Sequence, residues 1–251
     1  MSEQEVKSVI PLESNPEVFG GFAKSLGLHD AWTFQDIYSL VDPDLLAFVP
    51  RPVKAVILLF PLSEESEKEL TEKPEAEAVL QDPSNSTNKK YPIWFKQTVR
   101  NACGLYALLH SLSNNQDLLT ENSILKQFLT SNPVPHGKYS NNEALDNFIV
   151  SISEIYHERS LQGDTAAPPA ENEVELHFIT FVEKDGVLYE LDGRNPSGAK
   201  PLGKTIVAES NSEPDLLNEP LLKERFEWYH NNASESMKLQ FSLLGLGPSL
   251  N

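Results

Sequence analysis

The chain has 251 residues, 39% of them hydrophobic, and carries 37 Asp and Glu against 20 Lys and Arg, for a formal net charge of −17. That length and apolar content allow one large domain or two small ones with a full core. The charge argues against a nucleic-acid or anionic-membrane partner, because phosphate binding needs Lys and Arg, and the lone Cys103 excludes an internal disulfide and predicts a reducing compartment, with the cytoplasm as the expected location and the nucleus as a second.

Residues 1–5 are polar and acidic and lack the basic-then-apolar pattern of a signal peptide. Asn15-Pro16 predicts a helix start with proline in the first position, and Phe19, Phe22, Ala23 and Leu26 form its apolar stripe before Gly27. A strand is predicted over 53–60. The apolar run of 53–62, broken by Lys54, is too short to span a bilayer. Residues 63–77 are acidic and 81–90 are a polar insertion, and both read as loose segments. Helical spacing recurs over 101–113, with Leu105, Leu108, Leu109 and Leu112, and again over 121–130 and 141–159.

Residues 160–172 then form a long loop between a helix and a strand. Taken alone, it is equally a functional lid or a disordered linker. Strands are predicted over 174–182 and 187–191, joined as a hairpin at Glu183-Lys184-Asp185-Gly186. A strand over 205–208, a helix over 214–232 and a strand over 238–244 complete the pattern. The whole reads as one α+β domain over 1–251, with a mostly antiparallel sheet covered by helices.

Chemistry centres on Cys103. With Asn101 as the N-cap, Cys103 falls at the second helical position, where unpaired N–H groups and the helix dipole favour a thiolate. A lone cysteine is, by itself, more often a buried core thiol. Gly104 offers no side chain, so a substrate backbone has room beside the thiol. A thiolate nucleophile needs a base. His110 lies on the same helix two turns away, out of reach. His29, His230, His136 and His157 fall in polar or loop contexts, whereas His177 sits mid-strand and needs a polar partner.

Asp192 supplies one. A two-residue turn at Asp185-Gly186 pairs positions whose numbers sum to 371, which makes Asp192 a same-face diagonal neighbour of His177. A sum of 369 puts them directly opposite, and a sum of 370 puts them on opposite faces. Gln97, upstream of the thiol, is a side-chain donor for an oxyanion together with the Cys103 backbone N–H. No metal-ligand cluster, phosphate loop or cofactor motif stands out.

These pieces together resemble the ubiquitin C-terminal hydrolase family of cysteine peptidases. The resemblance begins at Pro11-Leu12-Glu13-Ser14-Asn15-Pro16-Glu17 and runs through Trp32-Thr33-Phe34-Gln35-Asp36, Val49-Pro50-Arg51-Pro52 and Leu58-Leu59-Phe60-Pro61. It continues with Lys96-Gln97-Thr98, Asn101-Ala102-Cys103-Gly104, Asn114-Asn115-Gln116, His177-Phe178-Ile179 and Tyr189-Glu190-Leu191-Asp192-Gly193-Arg194. Gln97 precedes Cys103 by six residues and His177 precedes Asp192 by fifteen, as in the family.

The resemblance implies a papain-like fold with a knotted backbone. It makes Cys103 the nucleophile, His177 the base and then acid, Asp192 its orienter and Gln97 an oxyanion donor. It implies a deubiquitinating thiol hydrolase acting at the C-terminal glycine of ubiquitin, on small or flexible adducts, with 160–172 as the loop that limits leaving-group size. Leu12, Glu13 and Asp36 match family positions near bound ubiquitin. The chain ends soon after its last predicted strand, and the expectation is a free-standing monomer without cofactor. The alternatives are a hydrolase of another ubiquitin-like modifier and a non-catalytic ubiquitin-binding protein.

Overall fold

The structure, a computed structural model, describes residues 7–71, 91–134, 139, 141–160, 176–206 and 213–250. The 81–90 insertion, His136 and residues 161–172 of the predicted loop lie outside the described residues.

Local chemistry sets the first elements. The Asn15 side chain accepts the N–H groups of Glu17 and Val18, Pro16 opens helix α1 (Pro16–Leu26), and Gly27 closes it with φ at 111°. Strand β1 (Trp32–Asp36), the short helix α2 (Pro43–Leu46) and strand β2 (Ala55–Pro61) follow. Helix α3 (Glu64–Thr71) forms where the sequence predicts a loose acidic segment. It has no buried residue, and ion pairs from Glu67 to Arg194 and from Glu69 to Lys200 and Arg225 fasten it to the domain.

Helices α4 (Cys103–Asn114), α5 (Ile124–Ser131) and α6 (Asn142–Ser160) come next. Strands β3 (Leu176–Lys184) and β4 (Val187–Leu191) form the expected hairpin, with Asp185 at φ 53° and Gly186 at φ 77° in its turn. Strand β5 lies at Lys200–Lys204, upstream of the predicted 205–208. Pro201 and Gly203 disguise it, and both are tolerated because β5 pairs only with β4, at the sheet edge. Helix α7 (Pro220–Asn231) starts later than predicted, after a 3-10 turn at Leu216–Asn218. Strand β6 (Ser242–Pro248) likewise follows a 3-10 turn at Lys238–Gln240, so the predicted 238–244 strand is shifted toward the C-terminus.

The six strands form one sheet in the order β1-β6-β2-β3-β4-β5, antiparallel at every pairing. Alternation along the central strands sorts side chains between two cores. Ala55 and Ile57 of β2 and Phe178 and Val182 of β3 join the core built with α1, α4, α5 and α6. Val56, Leu58 and Phe60, with Ile179 and Phe181, join the other, where α7 contributes Leu222 and Tyr229. Thr180 faces the first core and donates to the Ala107 carbonyl at 2.9 Å, which ties the middle of α4 to β3. This bond fixes the helix carrying the thiol against the strand carrying the histidine.

Candidate active site

The N-terminus of α4 places Cys103. Its local geometry differs from the expectation: Asn101 is not the N-cap but adopts a left-handed conformation with φ 58°. Ala102 occupies the cap position without a side-chain cap, and Cys103 is the first helical residue. Asparagine tolerates that backbone region, and the turn there delays the helix by one residue. The thiol still meets the helix terminus, because the Gly104 N–H hydrogen-bonds to it, as does the Phe178 N–H.

Gly104 serves a different neighbour from the expected one. A Cβ there would come within 2.8 Å of the Leu12 Cβ, so the missing side chain makes room for Leu12. Leu12 is itself buried, against the residue that follows Cys103.

His177 is buried. The hairpin has the register predicted by the two-residue turn, with Thr180 opposite Leu191 and Phe181 opposite Glu190. Asp192 follows directly and lands on the face of His177, whose Nε2 donates to Asp192 Oδ1 at 2.8 Å. The thiol of Cys103 acts on the same ring, and each group favours the charged form of the other. Oδ1 of Asp192 also accepts the Arg194 N–H at 2.8 Å. The Phe60 ring stands edge-on to the imidazole at 5.8 Å.

The charges of this trio support one another. Burial pulls His177 down, but the Asp192 carboxylate and then the Cys103 sulfur outweigh it and raise its pKa to about 10. Burial pushes the Cys103 thiol up, yet the His177 hydrogen bond and charge bring it below its ordinary value. Asp192 is lowered against its own burial, chiefly by the His177 charge and hydrogen bond. The site therefore favours a thiolate–imidazolium pair backed by a carboxylate.

Gln97 sits on an extended strap between residues 91 and 99. Helix α4 grips this strap from beneath. His110 Nε2 accepts the Phe95 N–H at 3.0 Å, and the Asn114 side chain accepts from Ile93 N at 2.7 Å and donates to its carbonyl at 2.9 Å. Burial lowers the His110 pKa to about 4, which keeps the ring neutral and able to accept. Sequence reasoning set His110 aside as too far to act as a base. His110 lies four residues before Asn114 on one helix face, but that spacing does not show which backbone groups the two side chains meet.

On its other side the strap holds the segment after β4. The Gln97 N–H donates to the Gly193 carbonyl at 2.7 Å. Gln97 Nε2 gives one hydrogen to the Val99 carbonyl at 3.3 Å, and its second is left for a ligand.

Glu13 is exposed and Asp36 half-buried. Asp36 accepts from the Tyr38 hydroxyl at 3.4 Å. It lines a cleft of about 310 Å³ with Glu17, Phe34, Tyr38, Leu45 and Phe48. Tyr38 and Phe48 are 76% and 79% exposed, an unusual amount of free aromatic surface. Of the other histidines, His29 accepts from Ala31 N at 3.1 Å, and His230 stacks on Phe226, away from the thiol. Among the described residues no helix is long and apolar enough to cross a membrane, and no group of three or more His, Cys, Asp or Glu is gathered to hold a metal.

Comparison with known proteins adds an independent finding. Residues 9–226 match the family model described as ubiquitin carboxyl-terminal hydrolase, family 1. The ubiquitin carboxyl-terminal hydrolase YUH1 of Saccharomyces cerevisiae is 42% identical over 247 residues, covering 98% of each chain. A ubiquitin carboxyl-terminal hydrolase of Drosophila melanogaster is 38% identical over 189 residues, covering 73% of this chain and 78% of its own. Among solved structures, the catalytic domain of Trichinella spiralis UCH37 bound to ubiquitin vinyl methyl ester has a TM-score of 0.67 at 20% identity. That match covers 96% of this chain and 95% of the other, and shows a shared fold.

Proposed function

The chain belongs to the ubiquitin carboxyl-terminal hydrolase family, and from that premise we propose that it is a deubiquitinating thiol hydrolase with Cys103 as its nucleophile. The observation that carries this reading is the buried trio in which His177 Nε2 bonds to Asp192 at 2.8 Å while His177 and the Cys103 thiol each favour the charged form of the other.

The chemistry follows from the charges. The thiolate attacks the carbonyl carbon of ubiquitin's C-terminal glycine, and the carbonyl π electrons move onto oxygen. The free hydrogen of the Gln97 amide and the Cys103 backbone N–H stabilise that oxyanion. As the tetrahedral species collapses, the bond to the leaving amine or alcohol breaks and imidazolium His177 gives it a proton. The thioester left on Cys103 is then hydrolysed by a water that His177, now neutral, deprotonates. Asp192 holds the ring in orientation and supports its charged form throughout.

For ubiquitin we assign the cleft that runs past Asp36, with Glu13 and Leu12 at its approach to the thiol. Its carboxylates suit the basic tail of ubiquitin, and its exposed aromatic rim suits an apolar patch on a folded partner. A preference for small or flexible leaving groups is assigned to the loop over 160–172.

A ubiquitin carrying a C-terminal vinyl methyl ester tests the reading. It should modify the native protein once, at Cys103. The Cys103→Ala variant should bind ubiquitin and release nothing from a ubiquitin C-terminal amide. Turnover by that variant would exclude Cys103 as the nucleophile.

A further inference from the structure

One buried group beside the site is not used by the chemistry above. Tyr106 lies one turn along α4 from Cys103, and its ring is buried. Its hydroxyl emerges at the strap that carries Gln97. There the Thr98 N–H donates to Tyr106 Oη at 3.1 Å, and Thr98 Oγ1 lies 3.2 Å from the same oxygen. Thr98 Oγ1 also bonds to Asp146 Oδ1 on α6.

The directions of these bonds are fixed by the groups. A carboxylate only accepts, so the Thr98 hydroxyl gives its proton to Asp146. The remaining contact then requires Tyr106 to donate to Thr98 Oγ1. The lone pairs of Tyr106 are thereby turned to the Thr98 N–H. Burial raises the Tyr106 pKa, so the hydroxyl keeps the proton this arrangement needs.

Thr98 is the peptide between Gln97 and Val99. Among the described residues the Gln97 amide is held through one hydrogen bond, from its Nε2 to the Val99 carbonyl. Its Oε1 is buried and finds no hydrogen-bond partner among the described residues. The aim of the amide therefore depends on how the 97–99 turn is set. Gly193 fixes that turn from one side through the Gln97 N–H, and Tyr106 fixes it from the other through the Thr98 N–H.

We propose that Tyr106, relayed by Thr98 and Asp146, is a positioning residue that sets the Gln97 side-chain amide for the oxyanion. The inference rests on the assignment of Gln97 as oxyanion donor. It links the helix that carries the nucleophile to the donor that meets the developing charge, so that the two hold one geometry.

Two reactions of the same thiol separate this role from a general structural one. Hydrolysis of a ubiquitin C-terminal amide builds an oxyanion at both acylation and deacylation. Alkylation of Cys103 by iodoacetamide displaces iodide at a saturated carbon and builds none. The Tyr106→Phe variant should lose about tenfold in kcat, a fraction of the full cost of an oxyanion donor. Its KM and its alkylation rate should match the native enzyme. Thr98→Val should give the same split.

Gln97→Ala should lose about 10²–10³ in kcat, and adding Tyr106→Phe to it should cost nothing more. Native kcat in Tyr106→Phe beside an impaired Gln97→Ala would overturn the positioning role alone. So would alkylation slowed as much as hydrolysis, or a full additive loss in the double variant. Native kcat in Gln97→Ala would instead remove the donor assignment and the inference with it.

Discussion

The indole N–H of Trp94 donates to the backbone carbonyl of Asp192 at 2.8 Å. This bond joins the strap bearing Gln97 to the residue that hydrogen-bonds His177. Trp94 is 1% exposed, so Trp94→Phe removes a buried hydrogen bond and leaves the carbonyl with the Asn195 N–H as its donor. The lost bond should cost about 0.5–1.5 kcal/mol in urea unfolding, and the volume lost from indole to phenyl adds to it. The kcat of the folded variant should also fall, because the His177–Asp192 pair loses its brace. Full activity at reduced stability would separate the bond from the chemistry.

The rate should follow a bell against pH. On the acid side activity rises as Cys103 deprotonates, below the ordinary thiol value of 9.0, because its pKa is lowered. On the alkaline side it falls as His177 loses its proton, near pH 10. Asp192→Asn removes the charge that raises His177, so the alkaline limb should move to lower pH. A profile of kcat/KM for the native and Asp192→Asn proteins checks both limbs. An unmoved alkaline limb would mean that Asp192 does not set the charge of His177.

Gly193 admits no side chain without moving the strap. A Cβ there would come within 2.9 Å of the Gln97 Cβ and 3.2 Å of its backbone nitrogen. Gly193→Ala should therefore break the 2.7 Å bond between the Gln97 N–H and the Gly193 carbonyl. Overpacking of this kind costs about 1–3 kcal/mol. Hydrolysis of a ubiquitin amide should slow by more than about tenfold, since misplacement by an ångström is costly to catalysis. Calorimetry beside kcat measures the two effects separately.

Arg225 lies between unequal partners. Glu190 is buried and meets its Nε at 2.5 Å, while the Glu69 side chain is 33% exposed. Glu190→Gln leaves a buried guanidinium short of its main counter-charge and should cost about 3–5 kcal/mol. Glu69→Gln should cost no more than about 1 kcal/mol, because water screens that pair. Burial opposes the charge of Glu69, but Arg225 and Lys200 lower its pKa below 4.5. Its contribution is thus present above that value and lost as pH falls through the folded one. Urea titrations at neutral and acid pH should show the native protein and Glu69→Gln converging in acid.

The sequence made the site more legible than its surroundings. The Asp185-Gly186 turn set the hairpin register, and the register alone brought Asp192 to the face of His177. Apolar periodicity marked α1, which buries a stripe, and the body of α4, whose leucines fall at helical spacing although every residue of that helix is buried. It missed α3, whose residues bury nothing and are held by ion pairs to Arg194, Lys200 and Arg225, distant in sequence. It missed β1, where Trp32, Thr33, Gln35 and Asp36 are half-buried around Phe34 and no run of apolar residues announces a strand. The contacts of His110 and Tyr106 were equally hidden, since a helical stripe shows which residues are inside but not which backbone groups they meet.

The sheet order has a consequence for how the protein comes into being. Among the described residues, strand β6 is the last but lies between β1 and β2, and β1 pairs with no other strand. A nascent chain that has already presented Cys103, His177 and Asp192 still lacks the strand that unites its first and second strands. Closure across so many residues is slow and cooperative. The sheet that carries His177 is therefore completed only once β6 has been made.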